Sequence, residues 1–264
     1  MSKLKSVSSR IWPRVAILAA ILAIWWIVYA AGWVSRALLP SPGDVWSALT
    51  DHLTGRAGLL NAAAHSVLRL AFGMAAAVVL GTSIGLAMAG SKGIQRSVGS
   101  VMVGLQAIPS IAWIVLVLIW LSHPARAIVA VVVISAFPAI AVATANSVRL
   151  VPPVLVRAGR TLGAKGWELQ RNIVLPSALP GYFAGLAQAW ALGWSALIAA
   201  ELIVAEELGL GRELRGAGGL ANRSSTSFIL AVMVVIVIVG LAIDLLLTSF
   251  DKRIRRRRGL AVLG

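Results

Sequence analysis

Six long apolar runs, nearly free of charged residues, are the dominant feature of this sequence. Each has roughly the 20 residues that an α-helix needs to cross about 30 Å of hydrocarbon. The runs lie at about Val15–Val34, Val67–Gly90, Val98–Leu121, Ala127–Val148, Pro180–Ala205 and Phe228–Phe250. With 59% hydrophobic and 12% charged residues, the composition argues against a soluble domain. Because the runs do not alternate polar and apolar residues, we expect an all-α membrane protein of about six transmembrane helices.

The basic residues are concentrated in alternate connections between these runs. Of 24 Lys and Arg, 17 lie in the N-terminus, the second loop, the fourth loop and the tail, whereas the other loops hold six. Because short cytoplasmic loops carry the excess of Lys and Arg, both termini are predicted to be cytoplasmic. We expect one transmembrane domain over 1–264, with a core at about 15–250. The basic tail, 251–264, is interpreted as a contact with anionic lipid rather than with nucleic acid.

The first run is expected to be a retained transmembrane helix rather than a signal peptide that is cleaved off. Its apolar stretch is longer than the roughly 7–15 residues of a signal-peptide core, and it contains Trp25 and Trp26.

No residue pattern points to catalysis or to a bound cofactor. The chain has no Cys, and its three His residues are scattered singly, so no metal site is expected. The phosphate-binding pattern G-x-x-x-x-G-K-[ST] and the metalloprotease pattern H-E-x-x-H are both missing from the sequence. We therefore expect a protein that is not an enzyme, and any use of ATP belongs to a partner.

Several glycine patterns are interpreted as helix packing rather than as active sites. Gly81 and Gly85 match the G-x-S-x-G pattern of hydrolases but lie inside an apolar run, where glycines at i and i+4 let another helix approach closely. Gly181 and Gly185 have the same spacing. The glycine-rich stretch at 216–221 follows no predicted strand, so we place it in an external loop rather than at a dinucleotide.

Two acidic residues, Glu201 and Asp244, lie late in their runs. An ionised side chain at the centre of a membrane costs at least about 2.5–3.5 kcal/mol, so we expect such residues to line a pathway, to be paired, or to reach an interface. For Arg69, near the start of the second run, reaching the interface is the favoured interpretation.

Prolines within the runs predict kinks. Pro109 and Pro138 each remove a backbone donor, which a membrane helix tolerates where protein or a watery cavity covers the freed carbonyl. Tryptophans near such kinks either line a pathway or pack at interfaces. The candidate pathway residues are Pro109, Ser110, Trp113, Trp194 and Glu201.

The fourth loop, 149–179, has a residue pattern that predicts short helices. Pro152 and Pro153 are suited to begin a short helix and Gly163 to end it. The apolar side of this helix comprises Leu155, Ala158, Gly159 and Leu162. A second short helix is expected at 166–174, after which Pro176 and Pro180 are expected to break the chain. This shape is suited either to docking in the groove of a partner or to lying on the membrane surface.

The same loop resembles the EAA loop of ABC-importer permeases, whose pattern is Glu-Ala-Ala-x3-Gly-x9-Ile-x-Leu-Pro. Here Arg157-Ala158-Gly159 is followed by three residues, Gly163, nine residues and then Ile173-Val-Leu175-Pro176. Arg157 replaces the Glu that in the family helps to fasten the loop to the ATPase, and Gly159 replaces the second Ala. The resemblance implies that the ATPase-coupling residues are Arg157, Ala158, Gly159, Leu162, Gly163, Ile173, Leu175 and Pro176.

Shorter stretches are similar to the nitrate, sulfonate and taurine branch of these permeases: Leu39–Val45, Ser66–Arg69, Ala107–Ala112 and Ala199–Leu202. The resemblance implies a type I importer permease in the bacterial cytoplasmic membrane, with a second permease copy, two ATPase subunits using ATP and Mg, and an extracytoplasmic binding protein. The implied cargo is a small anion-like nutrient such as a sulfonate, taurine, nitrate or bicarbonate. The alternative is a channel or ion-coupled carrier without an ATPase, which would depend on Glu201 and Asp244.

Overall fold

The structure, a computed structural model, describes residues 2–36, 38–55, 58–204, 206–216 and 226–257. Over these ranges the chain is helical and forms no β-strand, as the apolar runs predict. The helices are α1 (Ser2–Ala30), α2 (Pro42–Asp51), α3 (Leu59–Gly90), α4 (Lys92–Ala107), α5 (Ser110–Trp120), α6 (Pro124–Arg149), α7 (Pro153–Thr161), α8 (Gly166–Leu169), α9 (Leu175–Ile203), α10 (Leu210–Gly216) and α11 (Thr226–Arg257). The predicted external loop at 217–221 and the tail from 258 onward lie outside the described residues.

Four helices of the described chain are long and apolar enough to cross a membrane. They are α3, α6, the continuous helix Gly166–Ile203 and α11, taken over Thr226–Ser249. The bent pair α4 and α5 adds a fifth if it is counted as one span, and the first predicted run contains a shorter apolar helix, Ala19–Ala30. Each predicted run therefore contains helix, but the expected count of six spans is not confirmed.

The third predicted run is not one straight helix. Helices α4 and α5 meet at an angle of 98° across Ile108 and Pro109. Proline lacks an N–H and pushes the preceding residue out of the helical region, and Ile108 accordingly has an extended backbone (φ −78°, ψ 122°). The expected disturbance at Pro109 is thus confirmed as a full break. Pro138, by contrast, is buried inside α6, which continues through it.

The expected break after the fourth loop is wrong. A π-helical turn, Gln170–Val174, joins α8 to α9, so one helix runs from Gly166 to Ile203 through both Pro176 and Pro180. In the π turn Leu175 donates its backbone N–H to the carbonyl of Gln170, one residue farther back than in an α-helix. We attribute the continuity to this wider turn, which relieves the contact between a proline ring and the preceding turn.

Helix α6 is the centre of the bundle and packs closely against α3 and α9. Gly81 and Gly85 of α3 lie directly against α6, where a Cβ at Gly85 would be 2.5 Å from Thr144 Cβ and 2.6 Å from the carbonyl of Ala141. On the other side, Gly181 and Gly185 of α9 meet Ser147 and Ala143 of α6. Both predicted glycine pairs therefore lie at helix contacts. At Gly81, Gly85 and Gly185 no side chain larger than hydrogen fits without a shift, whereas Gly181 lies at the exposed edge of its contact.

Candidate functional site

The fourth loop forms a short helical hairpin at one end of the bundle. Helix α7 begins at Pro153 and ends at Thr161, as predicted. The chain then reverses at Gly163, whose φ of +91° is a conformation that L side chains rarely adopt, and α8 begins at Gly166. The predicted start and end of the first helix are therefore confirmed.

The two arms of this hairpin pack on each other through a glycine. A Cβ added at Gly159 would overlap the Cδ1 atom of Ile173 and lie 3.0 Å from that of Leu169. Ile173 and Leu169 therefore pack directly over the backbone of α7. This close packing gives a physical reason for glycine at the position where the EAA pattern has its second Ala.

Large apolar side chains are exposed on the hairpin and beside it. Leu162 is 88% exposed and Trp167 is 70% exposed. Leu150, Val154 and Leu155 are exposed as well. Because the hairpin is structured but leaves these side chains uncovered, it offers an apolar ridge that does not contribute to the chain's own core.

Arg157 of α7 is exposed. With Arg149 and Arg160 it lines a cavity of about 390 Å³ between α7 and the ends of the neighbouring helices. Arg149 donates hydrogen bonds to the carbonyls of Met88 (2.8 Å) and Ser91 (3.1 Å) at the end of α3. Within the described part of the chain, Arg157 makes no ion pair.

A buried polar cluster lies at the opposite end of the bundle. The Glu201 side chain is fully buried near the end of α9, and Arg69 Nη1 lies 2.8 Å from its Oε1. Its other oxygen, Oε2, accepts from Ser66 Oγ (2.7 Å) and from the backbone N–H of Gly211 (3.1 Å). Arg69 also donates to Glu207 (3.0 Å) and to the carbonyl of Leu208 (2.7 Å).

This cluster fastens the segment after α9 to two membrane helices. Ser66 Oγ accepts from the backbone N–H of Leu210 (2.9 Å), between two glycines. A Cβ at Gly209 would overlap the Glu201 carboxylate, and one at Gly211 would overlap the carbonyl of Ile198. The segment 209–211 thus wraps closely around the carboxylate, which the absence of side chains at both glycines permits.

The prediction for Arg69 named no partner, whereas the structure turns its guanidinium into this cluster, where it pairs with Glu201 and Glu207. Arg69 and Glu201 are 132 residues apart in the sequence. One charged residue in each of two apolar runs does not indicate that the two residues pair. The predicted topology does carry one signal: the start of the second run and the end of the fifth lie at the same membrane face. Glu201 is therefore paired, which is one of the three arrangements that the sequence predicts for it.

The other candidate pathway residues do not form one site with Glu201. Pro109 and Ser110 lie at the elbow between α4 and α5, where Pro109 is exposed. Trp113 and Trp194 each pack, partly buried, against the core formed by α5, α6 and α9. Asp244 is exposed on the outer side of α11. Within the described ranges, no three His, Cys, Asp or Glu side chains are placed to hold a metal ion.

Comparisons with known proteins agree with this helical arrangement. Residues 63–256 match the family described as "Binding-protein-dependent transport system inner membrane component". The taurine transport system permease protein TauC of Escherichia coli (strain K12) is 29% identical over 252 residues, which cover 94% of this chain and 90% of that protein. A putative ABC transporter permease protein of Methanocaldococcus jannaschii is 32% identical over 99 residues, covering 38% of this chain and 36% of that protein.

Two solved structures share the fold. An amino acid ABC transporter matches with a TM-score of 0.59 and 17% identity, over 75% of this chain and 93% of that one. The methionine ABC transporter MetNI, in an inward-facing conformation, matches with a TM-score of 0.61 and 18% identity, over 81% and 99% of the two chains. At these identities the likeness concerns the fold alone.

Proposed function

The chain belongs to the family of inner membrane components of binding-protein-dependent transport systems, and from this membership we propose that it is the membrane-spanning permease of an ATP-driven importer. Its hairpin 153–174 docks on an ATPase subunit at the cytoplasmic face. The chain itself holds no cofactor in this proposal, and ATP and Mg are used by two ATPase subunits. A second copy of the permease completes the pathway.

The exposed apolar ridge of the hairpin is the observation that carries the proposal. Leu162 and Trp167 project from a segment that is itself held in place by the Gly159 contact and by the continuous helix Gly166–Ile203. A docking element must be rigid to transmit force and apolar to bind a groove. Both properties are present at the end of the bundle that the basic residues assign to the cytoplasm.

The continuous helix also supports a mechanism. Because α8, the π turn and α9 form one helix, a displacement of the hairpin moves the membrane-spanning part of α9 with it. Closure of the two ATPases on ATP would thus rock α9 and its neighbour α6, and access would alternate between the two sides of the membrane. This is a rigid-body switch between two states, biased by a ligand.

The cargo we propose is a small sulfonate of the taurine kind, delivered by an extracytoplasmic binding protein. Its support is the similarity to the taurine permease over 94% of the chain. The competing ion-coupled carrier depends on Glu201 and Asp244, and Glu201 is already satisfied by Arg69, Ser66 and Gly211. No observation therefore favours the carrier.

Replacing Leu162 by Glu tests the docking surface. The side chain is 88% exposed, so we expect folding to be unchanged, while a charge on the apolar ridge abolishes co-purification of the ATPase from mild detergent. Leu38→Glu is the matched control, because Leu38 is 70% exposed and the charge pattern assigns its loop to the other face of the membrane. An ATPase that is recovered equally with wild type and Leu162→Glu would contradict docking at this ridge, and wild type without any ATPase after crosslinking would contradict the importer itself.

Replacing Arg157 by Glu tests whether this residue contacts the ATPase. Arg157 is exposed and has no ion-pair partner within the described chain, so the change should leave membrane insertion intact. We expect it to change the ATPase activity of the assembled complex several-fold, because it reverses a charge at the joint. The measurement is ATP hydrolysis by the purified complex at two salt concentrations. Unchanged hydrolysis and unchanged complex stability would count against a contact.

A further inference from the structure

A cavity with four polar residues in its lining lies between α6 and α9, apart from the predicted pathway residues. Its volume is about 430 Å³, and its polar lining comprises Asn146, Ser147, Ser177 and Gln188. All of its described lining residues are uncharged. Val151 and Pro152 border it on the side of the hairpin, so the cavity extends from the predicted cytoplasmic end of α9 into the membrane-spanning part.

Of the four polar side chains in the lining, Gln188 lies nearest the middle of α9. It sits near the middle of α9, roughly 20 Å along the helix axis from either end. Its side chain is exposed, and within the described part of the chain neither its amide nor that of Asn146 makes a hydrogen bond. An amide without a partner is strongly unfavourable in hydrocarbon, so this surface must meet water or protein rather than lipid tails.

The surface of α9 around Gln188 differs from the other outward surfaces of the bundle. Its exposed residues between 181 and 195 are Gly181, Ala184, Gln188, Ala191, Leu192 and Ser195. The outward surfaces of α3 and α11 instead carry large apolar side chains, such as Phe72, Val79, Leu241 and Leu245. Lipid suits the second kind of surface, whereas small and polar residues suit a surface that meets water or another protein.

We propose that this cavity is the cytoplasmic half of the solute pathway, and that the amides of Gln188 and Asn146 bind the solute as it passes. The inference rests on the proposed function and names the part of the chain that touches the cargo. It places the solute on α9 and α6 rather than at the elbow around Pro109.

The chemistry of the lining indicates the class of solute. A carboxamide donates through its N–H groups and accepts through its oxygen, so one amide can bind an oxyanion and two can bind both ends of a zwitterion. A bare anion would find no opposite charge among the lining residues, which makes its transfer into the membrane unfavourable. The cavity therefore suits a small zwitterion with an ammonium and an oxyanion group better than a simple inorganic anion.

Single cysteines test the location of the pathway, since the natural chain contains no Cys. Ala184→Cys and Ala191→Cys lie on the outward surface of α9, and Ala76→Cys, exposed near the middle of α3, is the matched control. The probe is the anionic, membrane-impermeant thiol reagent 2-sulfonatoethyl methanethiosulfonate, applied to inside-out vesicles containing the assembled complex. We expect both α9 cysteines to react at least about tenfold faster than the control, because only hydrated thiols ionise and react readily.

Two results would overturn the inference. Equal, slow labelling of all three cysteines would place α9 against lipid, and disulfide formation between two copies through Ala184→Cys without labelling would place it in a dry contact. In both cases the ATPase would still co-purify, which separates this failure from failure of the proposed function.

Replacing Gln188 by Leu tests the contact with the solute. The side chain is exposed, so the complex should still assemble with its ATPase. We expect uptake of taurine into proteoliposomes, with the binding protein present, to fall about tenfold or more, as for the loss of a hydrogen bond to a charged group. Unchanged uptake would show that Gln188 does not contact the solute, and Gln188→Asn, which keeps the amide, should retain more uptake than Gln188→Leu.

Discussion

Replacing Arg69 by Met is expected to lower the free energy of unfolding by about 3–5 kcal/mol, because it leaves a buried carboxylate without its cation. Glu201 is fully buried and the Arg69 side chain is only 11% exposed, so water cannot replace the lost partner. The segment 209–211, which is held against the same carboxylate, should loosen at the same time. The measurement is unfolding of the purified chain in mixed detergent, followed by circular dichroism.

Two further variants separate the buried charge from lost packing. Glu201→Gln combined with Arg69→Met removes both charges but keeps an acceptor for Ser66, so the double variant should be more stable than Arg69→Met alone. Glu207→Gln should cost less than about 1 kcal/mol, since Glu207 is 30% exposed. If Arg69→Met unfolds like the wild type, the cluster does not stabilise the bundle.

Replacing Gly85 by Ala is expected to destabilise the bundle by about 1–3 kcal/mol through overpacking. The new Cβ would lie 2.6 Å from the carbonyl oxygen of Ala141, and a backbone atom cannot move aside without shifting α6. Gly104→Ala is the matched control, because no atom outside its own turn of helix lies within 4 Å of the place where the new methyl group would stand. That change should be neutral or stabilise by up to about 1 kcal/mol, since alanine favours a helix over glycine.

The two glycine variants should therefore shift the unfolding midpoint in opposite directions when they are measured side by side in the same detergent. Equal midpoints would contradict the close contact between α3 and α6.

Features that depend on neighbouring residues were predictable from the sequence. Pro153 favours the start of a helix through its restricted φ, and Gly163 favours the reversal after it through its positive φ. Both effects reach only one or two residues, and the helix between them lies where it was expected. The spacing of Gly81 and Gly85 likewise indicated a close helix contact. The same local reasoning failed at Pro176, where a π turn carries the helix onward, because the effect of a proline depends on the shape of the turn before it.

From the sequence alone one could predict that the chain is helical and spans a membrane, where the first helix of the hairpin begins and ends, and to which family the chain belongs. These properties follow from residue type, order and spacing, which are local. The three-dimensional structure was needed to show that Arg69 pairs with Glu201, that α4 and α5 diverge by 98°, and that Gln188 lines a cavity instead of packing in the core. Pairing and exposure depend on which helix faces pack together. The spacing of residues more than a hundred positions apart does not indicate which faces do so.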